Sequence, residues 1–186
     1  MRVIAGTARS LPLKTIEGTD TRPTQDRIKE TLFNILHSDI VGCRFLDLYS
    51  GSGAIAIEAL SRGAKEATLV EIAKPAVSCI KNNLSFTHLN DKAQVMEMDV
   101  LSAINRLKGK GVYDIVYMDP PYGKDYEKDV LSALSVSDII DEYTNIIIEE
   151  NIDSELDYIE SCGFLVKRVK RYKTNKHIFL QLKGSV

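Results

Sequence analysis

The sequence predicts a single α/β fold: a mainly parallel sheet of seven strands covered by helices on both faces, with a short extension in front. Three observations predict it. From about residue 44 onward, apolar runs alternate with helix-period stretches, the order that right-handed crossovers between parallel strands require. The apolar runs are near-continuous rather than alternating, as strands buried on both faces are. The carboxylates and glycines of the first four strands fall at strand ends, where an open parallel sheet opens its ligand crevice.

The elements follow in order. Residues 44–49 ("RFLDLY") read as a buried strand and residues 53–63 as a helix stopped by Gly63. Residues 67–72 are the second strand. Residues 74–86 are a helix that tolerates Pro75 in its first turn. Residues 93–98 are a strand and 100–107 a helix; residues 112–119 are a strand and 126–134 a helix. Residues 145–150 are the fifth strand and 154–163 a helix. "FLVKRVKRY" and "KHIFLQLK" close the chain as two strands of a hairpin.

The first 43 residues differ. "RVIAG" and "LPLKT" form a small hairpin on this reading, and residues 24–36 a helix. Thr24 is its N-cap, and Ile28, Leu32, Ile35 and Leu36 its apolar stripe. Residues 1–43 are thus expected to be an extension packed on a main domain of residues 44–186.

Composition narrows the class. With 186 residues, 44% hydrophobic and 27% charged, the chain can bury a substantial core. No apolar run approaches the roughly 20 residues that span a bilayer. The N-terminus lacks the apolar core of a signal peptide, so a cytoplasmic protein is expected. Cys43, Cys79 and Cys162 are odd in number and far apart, which fits reduced core fillers better than disulfides or zinc ligands. His37, His88 and His177 are scattered too, and no metal is expected.

The net charge of −2 is uneven. Residues 1–29 hold Arg2, Arg9, Lys14, Arg22, Arg27 and Lys29 against three acids. Residues 167–186 hold Lys167, Arg168, Lys170, Arg171, Lys173, Lys176 and Lys183 and no acid. Two basic ends on an acidic body point to an anionic partner, or to two solvated basic faces.

Two turns carry chemistry. In "LDLYSGSGAIAIEA", Gly51 and Gly53 follow a strand and open a helix, where glycine lets the backbone turn tightly and approach a ligand. Glu71 ends the next strand, 20 residues after Gly51, placed to accept hydrogen bonds from ribose hydroxyls. The same spacing satisfies a dinucleotide fingerprint, so an NAD-binding or nucleotide-binding module remains an alternative. Asp47, just before the glycine turn, would repel a pyrophosphate but could meet the cationic amino-acid end of S-adenosylmethionine. Asp99 ends the third strand, where it could accept from the adenine amino group or cap the next helix.

The second turn is Asp119-Pro120-Pro121-Tyr122, closing the fourth strand. Prolines fix φ and have no N–H, so the turn offers acceptors only. The Asp119 carboxylate and the Pro120 carbonyl match an exocyclic amine, a double donor. Tyr122 could stack on a base, worth about 1–3 kcal/mol, against the few kcal/mol needed to extract one.

Together, "LDLYSGSGAIAIEALSRGA", "VEI", "MD" and "DPPY" resemble the Rossmann-like class I S-adenosylmethionine-dependent methyltransferases that modify exocyclic amines. With "RVIAG" at the start, "TRPTQDRIKETLFNIL" resembles the ribosomal RNA small subunit methyltransferase D family, across essentially the whole chain. The resemblance implies N2 methylation of one guanine in 16S rRNA, on naked RNA or on the small ribosomal subunit, by a monomer. It implies that Asp47, Gly51 and Gly53 hold the methionine and ribose side of the cofactor, Glu71 the ribose and Asp99 the adenine. Arg22, Pro23 and Thr24 would cover the cofactor, and Asp119, Pro120, Pro121 and Tyr122 would hold the target base. The same turn would serve adenine N6 or cytosine N4 in DNA, although little chain is left for a DNA-recognition domain. Ala8 and Lys173 stand where the family usually has glycine, which touches RNA docking rather than the chemistry.

Overall fold

A computed structural model of the chain describes residues 1–16, 23–121 and 126–184, with the side chains of residues 23 and 24 excluded. Its described residues fall into two compact units, Met1–Asp99 and Val100–Val186. Among the described residues seven strands make one mixed sheet, three of them in the first unit and four in the second.

The first unit contains α1 (Pro23–Ile35), α2 (His37–Ile40), β1 (Arg44–Leu48), α3 (Ala54–Ser61), β2 (Glu66–Glu71), α4 (Lys74–Thr87) and β3 (Ala93–Glu97). β1 pairs parallel with β2, and β2 with β3. Phe45, Leu46, Leu48, Leu69 and Val70 are fully buried, as the unbroken apolar runs predicted. The three cysteines are buried and none is in a disulfide.

The N-terminal segment forms the expected small hairpin: Arg2 and Pro12 make an antiparallel bridge, Val3 N–H donates to the Leu11 carbonyl at 3.0 Å, Ser10 N–H to the Val3 carbonyl at 2.8 Å and Leu13 N–H to the Met1 carbonyl at 3.0 Å. The loop between its two arms turns to α3. Ile4 and Ala5 N–H donate to the Glu58 carboxylate at 2.8 and 3.0 Å. Thr7 N–H donates to the Ser61 carbonyl, and Ala8 N–H to the Ser61 hydroxyl at 3.0 Å. Gly6 lies so close to α3 that a Cβ would sit 1.8 Å from the Ser61 carbonyl oxygen, and its φ is +85°. α1 then packs Leu32 and Phe33 inward, with Leu36 buried just after it, whereas Ile28 and Ile35 of the expected stripe are only half-buried. Lys29, counted above among the basic end, is buried. Its ammonium meets Glu58 at 3.1 Å and donates to the Arg2 carbonyl at 2.7 Å. Burial lowers the Lys29 pKa, and the Glu58 charge opposes that shift.

The second unit contains α5 (Val100–Leu107), β4 (Ile115–Met118), α6 (Tyr126–Ser135), β5 (Asn145–Asn151), α7 (Tyr158–Ser161), β6 (Phe164–Arg171) and β7 (Asn175–Leu182). β4 and β5 are parallel; β7 runs antiparallel to β5 and to β6, forming the predicted hairpin. The helix expected over 154–163 shrinks to four residues. Its first turn is held otherwise: the buried Lys176 ammonium donates to the Ile152 and Ser154 carbonyls, and the Ser154 hydroxyl to Glu150. Lys176 thus also leaves the basic surface, while Lys167, Arg168, Lys170, Arg171 and Lys173 stay exposed. Among the described residues no helix is long and apolar enough to cross a membrane.

Candidate active site

In the first unit the site is the glycine loop between β1 and α3. Three of its residues take left-handed backbone: Tyr49 (φ 66°), Gly51 (φ 54°) and Gly53 (φ 77°). Glycine relieves the strain at two of them, and Tyr49 carries it. A Cβ on Gly53 would lie 3.1 Å from Leu69 and 3.3 Å from Ile80, so a side chain there would press on both in addition to the strain of its φ of +77°. Around Gly51 the space is open, which leaves room for a ligand at the backbone. Gly53 N–H donates to the Ser50 carbonyl at 2.7 Å and closes the turn.

Both sequence-predicted acids of this loop have defined partners. Glu71, half-exposed at the end of β2, accepts Gly51 N–H at 3.0 Å on one oxygen and Ala73 N–H at 2.8 Å on the other. A carboxylate has about four acceptor positions, so capacity for ribose hydroxyls is left. Asp47 is 1% exposed and accepts Ala56 N–H, in the first turn of α3, at 3.3 Å. Burial pushes its pKa up to about 8; the Ala56 bond pulls it down, and the Glu71 charge adds to the rise. Asp47 therefore takes one of the N–H donors at the start of α3 that a pyrophosphate would use. A cation arriving beside it would restore its charge. The donor set fits S-adenosylmethionine: a carboxylate for an ammonium, a carboxylate for ribose and open backbone at Gly51. Asp99 is exposed and directly precedes α5.

In the second unit, Asp119 follows the last residue of β4 and is exposed; Pro120 is buried and Pro121 exposed. Arg22 and Tyr122 lie outside the described residues, as do the side chains of Pro23 and Thr24.

Three further features escaped the sequence reading. Ile72, next to Glu71, is 65% exposed and offers an apolar surface at the end of β2. The sequence reading makes it the last residue of the second strand, but β2 ends at Glu71. Asn83 of α4 reaches the glycine loop, with its Nδ2 donating to the Ser52 carbonyl at 2.9 Å; nothing local in the sequence marks it. Glu149 on β5, one residue past the registered pair Met118–Ile148, gathers Tyr117 (2.6 Å), Asn175 and His177 (3.1 Å). Tyr172 in turn meets His177 Nδ1 at 3.1 Å. Burial raises the Glu149 pKa, but the bonds and charge of His177, with Tyr117 and Asn175, outweigh it and hold the carboxyl low.

Solved structures share this fold over the whole chain. The Escherichia coli protein yhhF, classed as a methyltransferase, superposes with a TM-score of 0.85 at 30% identity, covering 100% of this chain and 99% of its own. The Haemophilus influenzae protein HI0767, classed as a methylase, gives 0.80 at 27%, covering 98% of each. The fold is thus the Rossmann-like α/β fold of class I methyltransferases, and the cofactor is S-adenosylmethionine. The family described as "Conserved hypothetical protein 95" matches residues 1–181. Ribosomal RNA small subunit methyltransferase D of Haemophilus influenzae is 32% identical over 157 residues, 84% of this chain and 81% of that protein. Its Escherichia coli K12 counterpart is 32% identical over 84% of this chain and 77% of its own length. The chain belongs to the ribosomal RNA small subunit methyltransferase D family.

Proposed function

We propose that the chain transfers a methyl group from S-adenosylmethionine to the exocyclic N2 amine of a guanine in 16S rRNA, as a cytoplasmic monomer acting on the small subunit or its assembly intermediates. One observation carries the chemistry: an exposed Asp119 carboxylate that closes β4 and leads into two prolines without N–H donors. Such a rim holds an amine by its two hydrogens and turns the nitrogen lone pair outward. The amine lone pair is conjugated into the base and weakly nucleophilic, so orientation supplies much of the gain. The cofactor, when bound, supplies a sulfonium methyl. The carbon–sulfur bond breaks as the carbon–nitrogen bond forms, and the amine releases one proton, which Asp119 can accept or pass to water.

On this reading Asp47, Gly51 and Gly53 hold the methionine and ribose side, Glu71 the ribose hydroxyls, Asp99 the adenine amine and Ile72 the adenine face. Arg22, Pro23 and Thr24 cover the cofactor, and Pro120, Pro121 and Tyr122 frame the base with Asp119. The exposed bases of β6 and Lys173 meet RNA phosphates. Guanine is supported by family membership; the turn itself suits any exocyclic amine, including those of DNA. The test is to map modified nucleotides in rRNA from cells with and without the protein. A single N2-methylguanine in 16S rRNA that vanishes with the protein is expected. Unchanged 16S rRNA, or methyl incorporation into duplex DNA instead, overturns the assignment.

A further inference from the structure

Asn83 sits on α4 and is 1% exposed. Its amide works in two directions. Nδ2 donates to the Ser52 carbonyl at 2.9 Å, inside the glycine loop, and to the Lys14 carbonyl at 3.0 Å, in the N-terminal arm. Oδ1 accepts the Lys14 N–H at 2.9 Å. One turn earlier on the same helix, the Cys79 thiol donates to the Lys14 carbonyl at 3.4 Å. The Asn83 amide thus uses both N–H donors and its carbonyl on backbone groups from segments 38 positions apart in the chain, residues 14 and 52.

The side-chain type is demanded by this geometry. Aspartate at 83 would point an oxygen at two carbonyls. An apolar residue would leave the Ser52 carbonyl and the Lys14 N–H without this partner and the Lys14 carbonyl with the Cys79 thiol alone, at a partly buried place where losing a partner costs stability. Ser52 lies between Gly51 and Gly53, in a loop with three left-handed residues. Holding its carbonyl sets the orientation of the peptide that joins Ser52 to Gly53, and so the loop on which the cofactor rests. Strained backbone of this kind persists only where surrounding bonds over-determine it.

We propose that Asn83 is a positioning residue for the cofactor, and that through its one amide the docking of the arm at Lys14 and the binding of cofactor at the glycine loop reinforce each other. The inference rests on the reading that this loop holds the cofactor. Coupling of this kind is reciprocal: if an ordered arm tightens cofactor binding, bound cofactor must tighten the arm by the same factor.

Two measurements on the full chain test it with S-adenosylhomocysteine as the probe. In the unaltered protein, amide exchange is followed with and without probe. Slowed exchange at residues 49–54 and also at Lys14 is expected. No protection at 49–54 defeats the cofactor reading of the loop. Protection there with none at Lys14 defeats the coupling alone. By titration calorimetry, Asn83→Ala and the near-isosteric Asn83→Asp should each bind the probe about tenfold or more weakly, and lose the probe-dependent protection at Lys14. A merely structural residue would lower the melting temperature of the variants and leave the affinity of the folded protein within twofold; that result overturns the proposal. Should both variants fail to fold, the exchange experiment on the unaltered protein still decides.

Discussion

Cofactor binding should release a proton near neutral pH, and Asp47 should be its source. Burial raises the Asp47 pKa from 3.8 to about 8, so at pH 7 the free protein carries this group mostly protonated. Pairing with the ammonium end of the cofactor requires the carboxylate. One pH unit below the pKa, ionising it costs about 1.4 kcal/mol, so affinity at pH 7 should be about tenfold weaker than the plateau reached above pH 8. Between pH 6 and pH 7 the affinity should rise by about tenfold, the slope of one proton lost per ligand bound. Titration calorimetry of S-adenosylhomocysteine in buffers of different ionisation enthalpy reads this directly, as close to one proton passed to buffer at pH 6.5. Asp47→Asn, which keeps the shape and removes the titration, supplies the control for ionisation of the ligand itself. If wild type and Asp47→Asn show the same pH slope and the same proton count, Asp47 does not meet the ammonium.

Other outcomes follow from the same contacts. The folded pKa of Asp47 lies above its unfolded value, so the native state keeps a proton between about pH 4 and pH 8 that the unfolded chain has released. The stability this provides is full below pH 4 and is lost as pH rises through about 8, by up to ~1.4 kcal/mol per unit. Denaturant melts of Asp47→Asn should lack that decline and exceed wild type at pH 8; parallel pH curves would refute it. Asp119→Ala should abolish methyl transfer and leave S-adenosylhomocysteine affinity nearly unchanged, and retained turnover would remove Asp119 from the mechanism. Glu58→Ala strips Lys29, Arg62 and two arm amides of their shared acceptor. Breaking one partner from a buried ion pair costs about 3–5 kcal/mol, measurable as a lowered urea midpoint; a loss below ~1 kcal/mol would mean that Lys29 finds water instead.

Element order and most boundaries were legible because buried parallel strands and amphipathic helices write their periods into the chain. The 100–107 helix and the closing hairpin are cases. The last helix was misread because a side chain from a distant element takes over backbone bonds: Lys176 holds the carbonyls of residues 152 and 154, so the helix starts late. The N-terminal hairpin was legible, but its tie to α3 through Glu58 and Ser61 was not, because those acceptors lie more than fifty residues along the chain. Charge misled for a related reason: Lys29 and Lys176 look like surface bases in sequence, yet each finds buried acceptors far along the chain.

The sequence by itself determined the glycine turn with its two following acids, the acceptor-only turn at Asp119 and the family. Each is local: a residue type at a strand end has consequences that neighbours within the same turn enforce. Only the tertiary structure decided that Asp47 is sealed from water and titrates near pH 8, and that Asn83 ties the loop to the arm. It also showed that Glu149 collects Tyr117, Asn175 and His177. Those properties depend on which surfaces remove water from a side chain and which backbone groups, tens of residues away, arrive within 3 Å of it.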